Sequence, residues 1–349
     1  MTVTVNTVTV NVDLDVRVLE EVRAATGRPE LEFAAKPVRL TGGFWAELLA
    51  FRLVDPPPGW PPDLVARVMP DAYVARKESV MQTAVAASGY PTPTVRAVGG
   101  SDSTLGQAFM IMDRVSGRPL MAGLGHRRAL VSGLGSASRI PDVLASTMAA
   151  LHAVDPGPVR DELAGLTGIP YTVLGMLSFL RDSAERCGRA DLVAAADFLI
   201  GHPRPTDREV ICHGDLHPFN VLADAGQITV LDWSASLLGS RSYDVAFTTM
   251  MLAEPPLAVP SVLRPSLRAL GRLLARRFLR RYQAGAGIRI DRDNLRWHQA
   301  LVCLRILVEV AGWVHDGSIA GRSDHPFLIS GKAFAARLAD VTGAPVRPR

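Results

Sequence analysis

The sequence predicts an α+β chain in two parts, mainly β up to about residue 114 and mainly helical from 115 onward. Three observations predict it. Before Gly117, short apolar runs are separated by Gly and Pro turns, the pattern of strands. After Gly117, apolar residues recur at helical spacing over long stretches. Within that helical part, only "REVICHGD" and "QITVLDW" read as strands.

The first stretch, "MTVTVNTVTVNVDLD", alternates Val and Thr and suits a strand or a loose tail, so residues 1–15 are set apart as a possible tail. It lacks the basic start and Leu-rich core of a secretory signal. "VRVLEEVRAAT" is helical and Gly27 ends it. "PVRLTGGFWAELLAFRLV" and "PDLVARVMP" read as strands. The connector "DPPPGWPPD" between them is too rich in proline for helix, because proline lacks the N–H the ladder needs. "ARKESVMQTAVAASG" is a helix closed by glycine, and "PTPTVRAVGG" and "LGQAFMIMDRV" are two more strands. Amphipathic helices follow at Ile140 to Val154, 171–188, 190–201, 264–285 and 293–317.

Bulk properties narrow the class. With 349 residues, 48% hydrophobic and 21% charged, the chain is long enough for two packed cores. No apolar run approaches the roughly eighteen residues of a membrane span. Three scattered cysteines suggest neither a disulfide framework nor a zinc site, and a reducing cytoplasm is the expected compartment. Only Lys36, Lys77 and Lys332 are lysines, so a role that normally falls to lysine has few candidates.

The chemistry concentrates in "ICHGDLHPFNVLADAGQITVLDW", Ile211 to Trp233. Three short apolar runs would hold Asp215, Asn220 and Asp232 near one another at their ends. Two carboxylates and an amide oxygen are hard ligands of the kind magnesium prefers. One carboxylate can instead orient a hydroxyl and accept its proton. Phosphoryl transfer needs that layout, because it depends mostly on positioning and charge neutralisation.

His-x-Asp-x-x-x-x-Asn with an Asp twelve residues after the Asn resembles the protein-kinase catalytic loop and its metal-binding aspartate. "HGDLHPFN" followed by "LDW" resembles the aminoglycoside phosphotransferase and choline-kinase-like family of small-molecule kinases. The resemblance implies a protein-kinase-like two-lobed fold, with an N-terminal antiparallel sheet plus helix and a larger helical C-terminal lobe. It implies a nucleotide-binding lobe over 1–114 and a lobe with the catalytic loop and acceptor site over 115–349. Asp215 would be the catalytic base, and Asn220 and Asp232 would hold Mg2+. Arg67 would reach the phosphates of ATP or GTP, and Glu78 would hold Arg67. Gly42 and Gly43 would lie in a loop over the nucleotide, and Met112, Asp113 and Val115 would belong to the adenine hinge. His213 would be a scaffold residue. Arg67 stands where protein kinases carry lysine; its fork binds phosphate but is not a compact point charge.

The implied reaction is transfer of the γ-phosphoryl group to a hydroxyl of a small molecule, an antibiotic or a metabolite. A nucleotide-binding pseudokinase or partner-binding protein without turnover is the alternative, against which the intact Asp215, Asn220 and Asp232 set argues. From Met250 to the C-terminus there are sixteen Lys and Arg against seven Asp and Glu, which favours neutral or anionic acceptors over a polycation. Arg264, Arg268, Arg272, Arg276 and Arg280 form a stripe on one predicted helix. A basic helix can bind nucleic acid, but the stripe is read as a solvated face. Trp297, Trp313 and His298 suit either an apolar acceptor wall or helix core. Asp244 and Ser242 are both candidate helix caps. Oligomeric state is left open.

Overall fold

The computed structural model describes residues 12–40, 46–121, 138–166, 170–204, 208–255, 260–322 and 325–349. The expected Gly42 and Gly43 loop lies outside them. The chain divides into two compact units, Met1–Ser116 and Gly117–Arg349.

The first unit is an antiparallel sheet with helices on it. Its elements are α1 (Val12–Thr26), β1 (Val38–Leu40), β2 (Glu47–Arg52), β3 (Asp63–Met69), α2 (Ala72–Ala87), β4 (Val95–Gly99) and β5 (Ala108–Asp113). The sheet order is β1-β2-β3-β5-β4. The central strand β3 is buried on both faces, and its period of two divides the core. Leu64, Ala66 and Val68 pack with Leu14, Val18 and Val22 of α1. Met69 packs with Ala75 of α2 and with Met110. Helix α1 begins at Val12, so residues 12–15 are helix and not tail. Leu14, Val18 and Val22 recur every four residues and are buried, and this stripe overrides the local alternation.

The second unit holds β6 (Arg118–Pro119), α3 (Ile140–Leu151), α4 (Gly157–Ala164), α5 (Val173–Arg186), α6 (Ala190–Gly201), β7 (Glu209–Cys212), β8 (Val221–Asp224), β9 (Gln227–Val230), β10 (Leu237–Ser240), α7 (Arg241–Ala253), α8 (Arg264–Ala286), α9 (Arg292–His315) and α10 (Pro326–Thr342). Its hydrophobic core gathers α5, α6, α7, α9 and α10. By length and composition α9 could cross a membrane, but 72% of its most apolar window is buried inside the fold. It is the central core helix, and Trp297 and His298 are buried in it. Strand β7 pairs with β10, while β8 and β9 form a separate hairpin beside β6. The three runs around the motif are therefore not one sheet, and their ends must be joined by other bonds.

Candidate active site

In the first unit, Arg67 lies opposite Leu48 and Met110 in the sheet. Strand alternation puts it on the α2 face, where Arg67 Nε is 3.2 Å from Glu78 Oε1. The two side chains are 8% and 1% exposed, so the guanidinium is held in the interior by a carboxylate. The α2 N-terminus is fixed by Asp71, which accepts from the N–H groups of Tyr73 and Val74. Met112 and Asp113 end β5, and Val115 follows it. The Asp113 carboxylate is taken by Arg96 on β4, at 2.6 and 2.8 Å.

In the second unit, β7 ends at Cys212 and the chain turns sharply through His213, Gly214 and Asp215. Gly214 has φ +76, and a Cβ there would meet Ala235 O at 2.2 Å. Only glycine fits, on both counts. The turn is anchored by the buried carboxylate of Asp244, in the first turn of α7. Asp244 accepts from His213 N at 2.8 Å and from Gly214 N at 2.6 Å. His152, on the residue after α3, faces the same carboxylate at 3.2 Å, and its other nitrogen meets Tyr282 Oη at 2.7 Å. Burial pushes the Asp244 pKa up, but these donors outweigh it and hold the carboxyl below its usual range. Asp244 is thus a loop anchor and not a helix cap. Ser240, rather than Ser242, caps α7.

His213 is wholly buried. Its Nδ1 accepts from Asp215 N, and its Nε2 meets Leu231 O at 3.0 Å. That pattern fits the neutral ring with the proton on Nε2, and burial holds its pKa below the ordinary histidine value. Leu231 N–H in turn donates to Asn220 O at 2.9 Å. The backbone of Leu231, just before Asp232, is therefore bonded to both His213 and Asn220, and this joins the β9 end to the loop. Asp232 has φ +64, a left-handed conformation uncommon for a residue with a Cβ. Its Oδ1 accepts from Ser234 Oγ at 2.7 Å.

Asp215 and Asn220 meet directly. Asn220 Nδ2 donates to Asp215 Oδ2 and to Asp215 O, both at 3.0 Å. His217 Nε2 lies 3.5 Å from Asp215 Oδ2. Burial pushes the Asp215 pKa up, but the charge and hydrogen bond of His217 and the charge of Arg305 more than offset it, so the carboxyl stays below its usual range. His217 Nδ1 accepts from Phe219 N. The donor set left for a cation is the Asp232 carboxylate and the Asn220 amide oxygen, whose orientation follows from Nδ2 bonding to Asp215. Hard oxygens of this kind fit magnesium.

The structure thus brings together Arg67 with Glu78, and Asp215 with Asn220 and the Asp232 strand end. Sequence reasoning missed His152, Tyr282 and Arg305, and it read Asp244 only as a candidate helix cap. For Arg305 the available signal was a charged residue within a largely apolar helix.

A family model described as the phosphotransferase enzyme family (APH) matches residues 42–298. Acyl-CoA dehydrogenase family member 11 of Gallus gallus is 27% identical over 196 residues, 54% of this chain and 24% of that protein. Acyl-CoA dehydrogenase family member 10 of Mus musculus is 25% identical over 267 residues, 73% of this chain and 24% of that protein. The chain spans about a quarter of the length of these curated relatives. A crystal structure from Ralstonia eutropha JMP134, an aminoglycoside phosphotransferase by assignment, aligns with TM-score 0.63 and 21% identity over 95% of this chain and 98% of that one. A thermostable mutant of aminoglycoside phosphotransferase APH(4)-Ia, in ternary complex with ADP and hygromycin B, aligns with TM-score 0.57 and 20% identity over 94% and 98%. These likenesses show a shared two-lobed α+β fold.

Proposed function

The chain belongs to the phosphotransferase enzyme family, and from that membership and the site geometry we propose that it transfers the γ-phosphoryl group of ATP or GTP, with magnesium, to a hydroxyl of a small molecule. The observation that carries this reading is the state of Asp215. Its Oδ2 is engaged by Asn220 at 3.0 Å, and its Oδ1 keeps lone pairs for an incoming hydroxyl.

Asp215 accepts a hydrogen bond from the acceptor hydroxyl, aims the oxygen at the γ-phosphorus and takes the proton as the new P–O bond forms. Its depressed pKa suits this role, because a loose transition state needs an oriented nucleophile more than a strong base. His213 and Asp244 hold the backbone that carries Asp215. Asn220 and Asp232 are the residues that would hold magnesium. When bound, the cation supplies neutralisation of the phosphate charge. Arg67, kept in place by Glu78, provides a fixed positive group for the nucleotide's phosphates.

The acceptor class follows from charge. The ternary neighbour holds an aminoglycoside, hygromycin B. Here the region from Met250 onward carries a basic excess, which disfavours a polycation and supports a neutral or anionic hydroxyl compound. The test is a screen of hydroxyl acceptors with γ-labelled ATP and magnesium, with Asp215→Ala as the blank. One acceptor class should be labelled, and the alanine variant should lose about 10²–10⁴ in rate. Equal labelling by both proteins would remove Asp215 from the mechanism. Nucleotide binding with neither transfer nor hydrolysis by the wild type would make the chain a binding protein.

A further inference from the structure

The catalytic turn is also held from its other side, by a residue beyond the part of the chain that the family match covers. That match ends at residue 298, and Arg305 projects from the second half of α9. Arg305 Nη1 donates to Gly214 O and to Tyr243 Oη, each at 2.8 Å. Its Nη2 lies 4.0 Å from Asp215 Oδ1. The guanidinium sits over the rings of Phe247 at 5.1 Å and Tyr243 at 5.9 Å. Only 13% of the side chain is exposed.

These contacts divide the turn between two anchors. Asp244 takes the N–H groups of His213 and Gly214, and Arg305 takes the Gly214 carbonyl. The Gly214 carbonyl and the Asp215 N–H belong to one peptide unit. Arg305 binds its oxygen, and His213 Nδ1 accepts from its nitrogen. The plane of that peptide sets where the Asp215 side chain starts. Glycine at 214, with φ +76, has the conformational freedom to let the peptide rotate if one anchor is lost. On the carboxylate, Asn220 holds Oδ2, and Arg305 stands beside Oδ1, the oxygen that would receive the hydroxyl.

We propose that Arg305 is a positioning residue for the catalytic base: it locks the 214–215 peptide and steers Asp215 Oδ1 toward the acceptor. The proposal rests on the phosphotransferase reading for its kinetic consequence and on geometry alone for its structural one. A single positive charge is not enough, because one planar fork spans the carbonyl, the phenol and the carboxylate side together.

The test uses the full chain with Arg305→Ala and Arg305→Lys. The first readout is backbone hydrogen exchange over residues 213–220. Arg305→Ala should speed it about tenfold while the α5 and α6 core amides are unchanged. The second readout is MgATP turnover with water as the acceptor. Arg305→Ala should lower kcat about 100-fold, as expected for a misplaced reacting group, with KM for ATP within about threefold. Millimolar guanidinium should restore part of that rate. Unchanged exchange over 213–220, or kcat within about threefold of wild type, overturns the proposal. Faster exchange throughout the unit without guanidinium rescue shows a merely structural residue and also overturns it. Should the alanine variant not fold, Arg305→Lys decides: native melting with about tenfold lower kcat supports the fork, and wild-type kcat sinks it. If the wild type neither hydrolyses MgATP nor labels any acceptor, the phosphotransferase reading fails, and the exchange comparison alone decides the positioning role.

Discussion

Asp244→Asn isolates the anchor beneath the His213–Asp215 turn, because it keeps the shape of the side chain and creates no cavity. In the wild type, Oδ1 accepts from Gly214 N at 2.6 Å and Oδ2 from His213 N at 2.8 Å and His152 Nε2 at 3.2 Å. Asparagine must place an NH2 group at one of these oxygen positions. In either orientation, one buried loop N–H then faces a donor. A buried unsatisfied donor costs about 1–3 kcal/mol. The surviving bonds lose their ionic assistance, worth about 1 kcal/mol more. The sum is about 2–4 kcal/mol, a large share of the roughly 5–15 kcal/mol that holds a domain folded. Urea unfolding of both proteins measures it as a lower midpoint at unchanged slope. The phosphoryl-transfer rate should fall with it, since the turn carries Asp215. The carboxyl also contributes to acid sensitivity. Its folded pKa lies below the unfolded value, so its stabilisation is present above about pH 4 and is lost as pH falls through the folded pKa. Asp244→Asn should remove that component. A variant within about 0.5 kcal/mol of wild type would refute the anchoring argument.

Gly214→Ala combines a left-handed φ with a Cβ driven onto Ala235 O, and it should destabilise by at least about 3 kcal/mol and abolish transfer, as measured by urea unfolding and labelled-phosphate assay. Glu78→Ala removes the carboxylate beside buried Arg67; a loss of about 3–5 kcal/mol in denaturant unfolding is expected, together with weaker nucleotide affinity in a binding titration. His325 caps α10 by accepting the Phe327 N–H on Nδ1, and burial, with Arg322, pushes its pKa down to about 4. The unfolded ring titrates near 6.5, so from about pH 6.5 to 4 the unfolded chain takes up a proton that the folded chain refuses. Stability should fall with pH there by up to about 1.4 kcal/mol per unit. His325→Asn, a comparable cap, should flatten part of that slope in urea titrations across the same range.

The motif from His213 to Asp232 was legible because its spacing is local. Strand ends and turns within about twenty residues set the neighbours of Asp215, Asn220 and Asp232. Arg67 and Glu78 were legible through the family resemblance, and strand parity and an early helix position put them on facing surfaces. What stayed hidden depends on tertiary partners. Asp244 reads as an acidic cap in the first turn of a helix, and nothing local reveals that its acceptors serve a turn thirty residues earlier in the chain. Arg305 reads as one arginine among many in an arginine-rich sequence. The alternation ending in "VNVDLD" reads as a strand or a loose tail, although Leu14 within it starts an every-fourth-residue stripe, with Val18 and Val22, that packs against the sheet. The last helix, α10, was missed because part of its buried face is Ser330, Gly331 and Ala335, too small to form a visible apolar stripe.

The most direct measurement is nucleotide affinity as a function of magnesium concentration, by calorimetric titration of the wild type and of Asp232→Ala. The wild type should bind ATP at least about tenfold more tightly with magnesium than without. Asp232→Ala should show little magnesium dependence while its melting temperature stays near that of the wild type. The same magnesium dependence in both proteins would contradict the assignment of Asp232 to a metal–triphosphate site, and with it the proposed chemistry.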